Sequence, residues 1–274
     1  MCNRIRFFLV TVFFHASLLV YAHGDLHQRI EKVSKLIAAS PNDLELYQQR
    51  GELYLRHRDY RKAKRDLARC EKGGVANQPL WYAIARAHYH LNKERQCRLY
   101  LEKSLAIDSN HLLSLHLSAR LYSRSKAFVE AAHLFEDIIK YSVRTIPENY
   151  VDAALAWENA GMLDKAISIL ELGLHEMGPV PTFQKYLVKY YSASSRMNDV
   201  LKIKSEQVEQ SHRKEFPLVD RAEFHLMIGN NEAGQSDLIQ ARQAIHRLPK
   251  HIQDNQATRL LKKRIDELIT KAHL

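Results

Sequence analysis

The sequence predicts an all-α solenoid of antiparallel helix pairs, and three observations predict it. One spacing recurs along the chain, two columns of small residues keep a fixed place within it, and turn-forming residues fall where paired helices must reverse. The spacing shows in Tyr47-x-x-x-Gly51-x-x-Tyr54, Trp81-x-x-x-Ala85, Leu115-x-x-x-Ala119-x-x-Tyr122 and Tyr150-x-x-x-Ala154-x-x-Trp157. With Leu44 opening the first unit, units start at 44, 78, 112, 147, 181 and 215, at spacings of 34, 34, 35, 34 and 34. A period of this length marks stacked supersecondary units that cannot bury their apolar faces alone.

Composition agrees with that class. The chain has 274 residues, 46% hydrophobic and 26% charged, with only 9 Gly and 7 Pro, and a mean hydropathy of -0.39. These values exclude collagen, a mucin stalk, a disordered tail and a disulfide-dense miniprotein.

Residues 1–22 read as a secretory signal. Arg4 and Arg6 precede the apolar run Phe7 to Val20, and Val20-Tyr21-Ala22 offers small residues at the two positions a signal peptidase reads. Cleavage after Ala22 would leave a chain that starts at His23 and has no membrane-spanning segment, located in a periplasm or outside the cell. Loss of Arg4 and Arg6 would take the net charge from +10 to +8, still favouring acidic partners. The chain has no Asn-x-Ser/Thr acceptor, which favours a bacterial envelope over a eukaryotic secretory route.

Residues 23–43 are expected to hold a capping helix, with Leu26, Ile30, Val33, Leu36 and Ile37 at helical spacing. Six repeats are then expected over 44–248. Their eighth positions are Gly51, Ala85, Ala119, Ala154, Val188 and Ala222, and their twentieth positions are Ala63, Cys97, Ala131, Ala166, Val200 and Gly234. Small side chains at both places let two helices approach closely, and large apolar residues such as Trp81, Trp157, Leu67, Leu101 and Phe135 fill the space between units. Arg58-Asp59, Ala160-Gly161 and Gly229-Asn230 mark reversals inside units. The fifth unit departs from the pattern, with Gln184, Lys204 and Gln207 where apolar or small residues are expected. Residues 249–274 should form a terminal cap, its stripe made of Leu260, Leu261, Ile265, Leu268 and Ile269.

This pattern resembles the tetratricopeptide repeat (TPR) family over nearly the whole chain after residue 22, and the export signal makes it look like an exported bacterial-type member. The resemblance implies a right-handed superhelix whose inner groove, lined by the second, fifth, ninth, twelfth and thirteenth residues of each unit, binds a peptide or protein. In the second and third units those positions include Tyr82, Arg86, Tyr89, His90, His116, Arg120, Ser123 and Arg124, a cationic and aromatic set without an acidic member. The first unit offers Glu45, Gln48, Glu52, Leu55 and Arg56, and the sixth Phe216, Val219, Glu223, Leu226 and Met227. Lys and Asn stand at none of the sites that would clamp a chaperone carboxylate, occupied here by Gln48, Glu52, Ala83, Leu113 and Leu117.

Catalytic signatures are missing from the sequence: no Gly-rich phosphate loop, no Gly-x-Ser-x-Gly, no His-Glu-x-x-His. The reading is therefore a non-catalytic scaffold for a protein or peptide partner, acidic in character, with no cofactor and no nucleic acid. Two alternatives stand beside it. A chain beginning at His23 could chelate copper through its amine and ring, with His27 completing the site, or the basic groove could hold an anionic envelope polymer. Cys70 and Cys97 occupy small-residue positions and are expected to be buried free thiols, and His88 and His225, at the eleventh position, satisfied core imidazoles.

Overall fold

The computed structural model describes residues 25–272, and among these the chain is all α-helix. The expected signal segment, 1–22, lies outside the described residues. After α1 (25–39) come α2 (Leu44–Arg56), α3 (Tyr60–Lys72), α4 (Gln78–His90), α5 (Glu94–Ile107), α6 (Leu112–Arg124), α7 (Phe128–Tyr141) and α8 (Pro147–Asn159). Then follow α9 (Leu163–Met177), α10 (Pro181–Ala193), α11 (Met197–Gln210), α12 (Glu215–Met227), α13 (Asn231–His246), α14 (Lys250–Gln253) and α15 (Gln256–Ala272). Helices α2, α4, α6, α8, α10 and α12 begin at Leu44, Gln78, Leu112, Pro147, Pro181 and Glu215.

The chain divides into two compact units, one ending at Ala160 and one starting at Gly161. In the first, α2 packs on α3, α4 on α5 and α6 on α7, and each second helix also packs on the next first helix. First helices touch as well, α2 against α4 and α4 against α6, which lines their outward-facing side chains along one face. In the second unit α9, α10 and α11 pack in sequence, α12 pairs with α13, and α15 covers both α12 and α13.

Close approach explains the small-residue columns. A Cβ on Gly51 would lie 2.8 Å from two carbons of Leu67, and one on Gly234 would lie 2.8 Å from two carbons of Leu226. Ala63, Ala85, Cys97, Ala119, Ala131 and Ala166 have no exposed surface. The reversals share a second signature. At the fifteenth position of each expected repeat the backbone is left-handed, with φ of 63° at Arg58, 55° at Asn92, 60° at Lys126, 73° at Gly161, 57° at Ser195 and 80° at Gly229. The amide that follows closes the helix on the carbonyl five residues back, as in Asp59 to Tyr54 and Lys93 to His88 at 2.9 Å.

Helix starts are capped from the sequence. The Asp43 carboxylate accepts from the Glu45 and Leu46 amides, and Asn77 from the Leu80 amide at 2.8 Å. His111 Nδ1 accepts from the Ser114 amide, and a buried chain runs on through Ser114, Ser104 and Gln78, tying α6, α5 and α4.

A buried ion pair recurs in the two units. Arg50 grips Asp66 with two nitrogens at 2.7 and 2.9 Å and reaches Ser34 at 3.1 Å, while Arg221 grips Asp237 at 2.7 Å twice and reaches Ser205 at 3.1 Å. Every one of these partners lies sixteen residues away, so the second set repeats the first.

The terminal cap and the core imidazoles depart from expectation; the fifth unit and the two cysteines do not. The irregular fifth unit still forms a helix pair: Gln207 donates to Gln184 at 3.1 Å and Lys204 pairs with Asp220 of the next helix, although the buried Gln184 Nε2 has no hydrogen-bond partner among the described residues. The terminal cap is interrupted near Asn255, whose side chain caps α15 by accepting from the Thr258 amide. Leu260 is 61% exposed and leaves the stripe, while Leu261, Ile265 and Leu268 are buried. His88 is buried and stacks on Tyr100 at 5.6 Å, yet its Nδ1 and that of His225 have no hydrogen-bond partner among the described residues, so neither imidazole is fully satisfied. Cys70 and Cys97 are fully buried free thiols, and burial pushes them up to about 11 and about 12.

Candidate partner-binding face

The first unit brings α4 and α6 side by side, and their register sets the face. Tyr82, Arg86, Tyr89 and His90 rise along α4 at helical spacing, and His116, Arg120 and Arg124 along α6. Tyr82, Arg86, Tyr89 and His116 are half-buried, whereas His90, Arg120 and Arg124 are exposed.

Electrostatics shows which of these share a field. Burial lowers the pKa of His90, and Arg86, Arg120, Arg124 and Arg58 each lower it further. Four guanidiniums thus act on one imidazole, which is held in place by a parallel stack on Tyr60 at 4.2 Å. Burial raises Tyr82 against the opposing pull of Arg86 and Arg120, which places both cations near one phenol. Its ring meets His111 edge-on at 5.5 Å.

The arginines are not equivalent. Arg124 lies over the Tyr89 ring at 4.3 Å, donates to the Tyr89 carbonyl and the Asn92 side chain at 3.2 Å, and pairs with Glu94 at 3.3 Å. It braces the α4–α5 turn and is already neutralised. Arg86 and Arg120 have no hydrogen-bond or ion-pair partner among the described residues. Two adjacent first helices therefore present two unused guanidiniums, on axes about 8–10 Å apart.

The face does have an acidic member, which the inner-position rule missed. Asp152, sixth in its unit and carried by α8, lines a cleft of about 350 Å³ with Tyr89, Arg120, Ser123, Phe128 and Phe135. The side chain keeps exposed surface, but partial desolvation raises its pKa while Arg120 and His116 oppose the rise. Burial likewise lowers His116. Tyr60, Arg58 and His111 also belong to this neighbourhood; the left-handed turn at Arg58 gave a signal in its Asp59 neighbour, and the other two gave none.

Elsewhere the groove positions behave unevenly. Leu55 and Val219 are buried core, whereas Phe216 and Met227 are 39% and 64% exposed. Glu45, Gln48 and Glu52 line an acidic cleft of about 730 Å³ in the first unit. Of the metal candidates, His23 lies outside the described residues, and the His27 ring packs against His57 at 5.4 Å. Among the described residues no three His, Cys, Asp or Glu side chains gather closely enough to hold a metal, and no helix is long and apolar enough to cross a membrane.

These helix pairs and small-residue contacts define an all-helical repeat fold, and its structural neighbours are tetratricopeptide repeat proteins. The crystal structure of a tetratricopeptide repeat protein from Parabacteroides merdae matches 93% of this chain and 96% of its own, at 15% identity and a TM-score of 0.51. The C-terminal part of a TPR repeat-containing protein from Cytophaga hutchinsonii matches 88% and 98%, at 14% identity and a TM-score of 0.61. MamA matches 56% of this chain and 88% of its own, at 19% identity and a TM-score of 0.51. At these identities the likeness is one of fold. No protein-family model and no curated protein matches the sequence.

Proposed function

We propose that the protein is a non-catalytic interaction scaffold whose first unit binds an acidic segment of a protein or peptide on the face around Arg86 and Arg120. The observation that carries this reading is the pair of guanidiniums left without hydrogen-bond or ion-pair partners among the described residues on adjacent first helices, beside an imidazole whose pKa burial lowers and their field lowers further. Each guanidinium can take a carboxylate in a two-point grip, and an extended segment can present carboxylates at the interval between the helices. Tyr82 and Tyr89 supply ring surface for the segment's apolar side chains. Asp152 beside Arg120 disfavours a uniformly anionic ligand, because a like charge in the same cleft repels it; this favours a peptide of mixed character over an anionic polymer.

Export belongs to the same proposal, with residues 1–22 as the signal and a periplasmic or extracellular site of action. Fluorescence anisotropy tests the binding reading. A labelled peptide alternating Glu with Leu should bind the chain that starts at His23, while its Lys-for-Glu counterpart should not. Equal binding of both peptides, or of neither, contradicts the reading.

A further inference from the structure

We infer that the outer face of α3 is a second anionic-ligand surface, one that docks the protein on the phosphates of an anionic lipid bilayer. Helix α3 is divided into two opposite faces. Ala63, Asp66, Leu67 and Cys70 are buried on one, and Arg61, Lys64, Arg65, Arg69 and Lys72 are exposed on the other. The five cations span three turns, about 17 Å of helix. Half-buried Ala68 floors a shallow recess of about 480 Å³ that they surround.

Among the described residues, the acidic side chains of α3 and its turn are engaged elsewhere. Asp66 is held by Arg50, Glu71 accepts from Tyr100 at 2.7 Å and Lys103 at 3.1 Å, and Asp59 pairs with Lys62 at 2.9 Å. Arg69 reaches the Pro41 carbonyl at 2.8 Å and lies over Tyr47, but neither partner carries a negative charge. Arg61, Lys64, Arg65 and Lys72 have no hydrogen-bond or ion-pair partner among the described residues.

The composition of the face selects the occupant. It offers no exposed apolar side chain, and a protein interface needs an apolar core. It offers no aromatic ring, and single-stranded nucleic acid is held largely by stacking. What remains is attraction by charge alone to phosphates, and lipid headgroups, free to move in the bilayer plane, can gather around fixed cations on a convex helix. Arg61 and Arg65 suit phosphate because the guanidinium fork matches two of its oxygens. No helix of the described residues can cross a membrane, so the contact would be peripheral.

Co-sedimentation of the chain that starts at His23 with vesicles containing about 30% phosphatidylglycerol in phosphatidylcholine tests this, since each basic residue near such a surface is worth about fivefold in partitioning. The protein should pellet with these vesicles and not with pure phosphatidylcholine, and should be released at high salt. Arg61→Glu with Arg65→Glu should lower partitioning at least about 25-fold at an unchanged melting temperature. Arg86→Glu with Arg120→Glu, which alters only the groove, should partition as the parent does. Unchanged pelleting of the α3 variant overturns the inference, as does binding to a duplex DNA or to soluble polyphosphate without binding to the vesicles.

Discussion

Lys126 and Ser195 hold backbone that their side chains disfavour, at φ of 60° and 57°. Gly161 and Gly229 occupy the same position in other turns, and a Cβ added to either would meet nothing within 4 Å. Space is therefore available at these turns, and the cost of a side chain is conformational. A left-handed L-residue costs about 1–2 kcal/mol, while glycine adds about 0.4–1 kcal/mol of unfolded-state entropy to be lost on folding. Lys126→Gly and Ser195→Gly should each gain about 0.5–1 kcal/mol. Urea unfolding followed by helical circular dichroism reads this as a midpoint raised by about 0.3–0.5 M, given a slope near 2 kcal/mol per M. Asn92 is the internal control. Asparagine tolerates this conformation, and its Oδ1 accepts from Arg124, so Asn92→Gly should gain nothing. A midpoint unchanged or lowered in both Lys126→Gly and Ser195→Gly would refute the reasoning, as would equal stabilisation by all three.

Other perturbations follow from the same geometry. Asp66→Ala strands the Arg50 guanidinium and Asp237→Ala strands Arg221, and each should cost about 3–5 kcal/mol in urea unfolding. Cys70 and Cys97 should resist a thiol reagent in the native state and both react in denaturant; because their pKa values are raised in the fold, the stability they contribute is complete below about pH 8.5 and is lost as pH rises towards 11 and 12. Burial lowers His88, His90, His111, His116 and His225, so their contribution is present above about pH 6.5 and is lost as pH falls through their folded values, giving a urea midpoint that drops on acidification. Copper titration should separate a chain starting with a free His23 amine from the same chain acetylated there; equal binding by both contradicts an amino-terminal site.

The period, the helix starts and the small-residue columns were legible because each is a local requirement repeated many times. Gly51 and Gly234 are small because a leucine from the paired helix comes within 2.8 Å of where a Cβ would sit. The site was less legible, because its members are chosen by neighbours on other helices. Arg124 has the same spacing as the free arginines, yet Glu94 and Asn92 engage it. Asp152 came into view only when α8 placed it beside Arg120. The Arg50–Asp66 and Arg221–Asp237 pairs were not legible, because nothing in a single sequence distinguishes such a pair from two solvated charges. The stripe assigned to Leu260 failed for a related reason: one side of a helix is wider than the part its neighbours cover.

The central claim is that the unpartnered guanidiniums of Arg86 and Arg120 recognise carboxylates. Its most direct measurement is the anisotropy titration of the Glu–Leu peptide against the parent, the Arg86→Glu/Arg120→Glu variant and Arg124→Glu as a third protein. The account expects the double variant to keep its helical melting behaviour, since neither guanidinium has a hydrogen-bond or ion-pair partner among the described residues to lose, and to lose the peptide. Arg124→Glu, whose native side chain is occupied internally, should lose thermal stability before it loses affinity. Undiminished binding by the folded double variant would contradict the account and move attention to the exposed Phe216 and Met227 of the second unit.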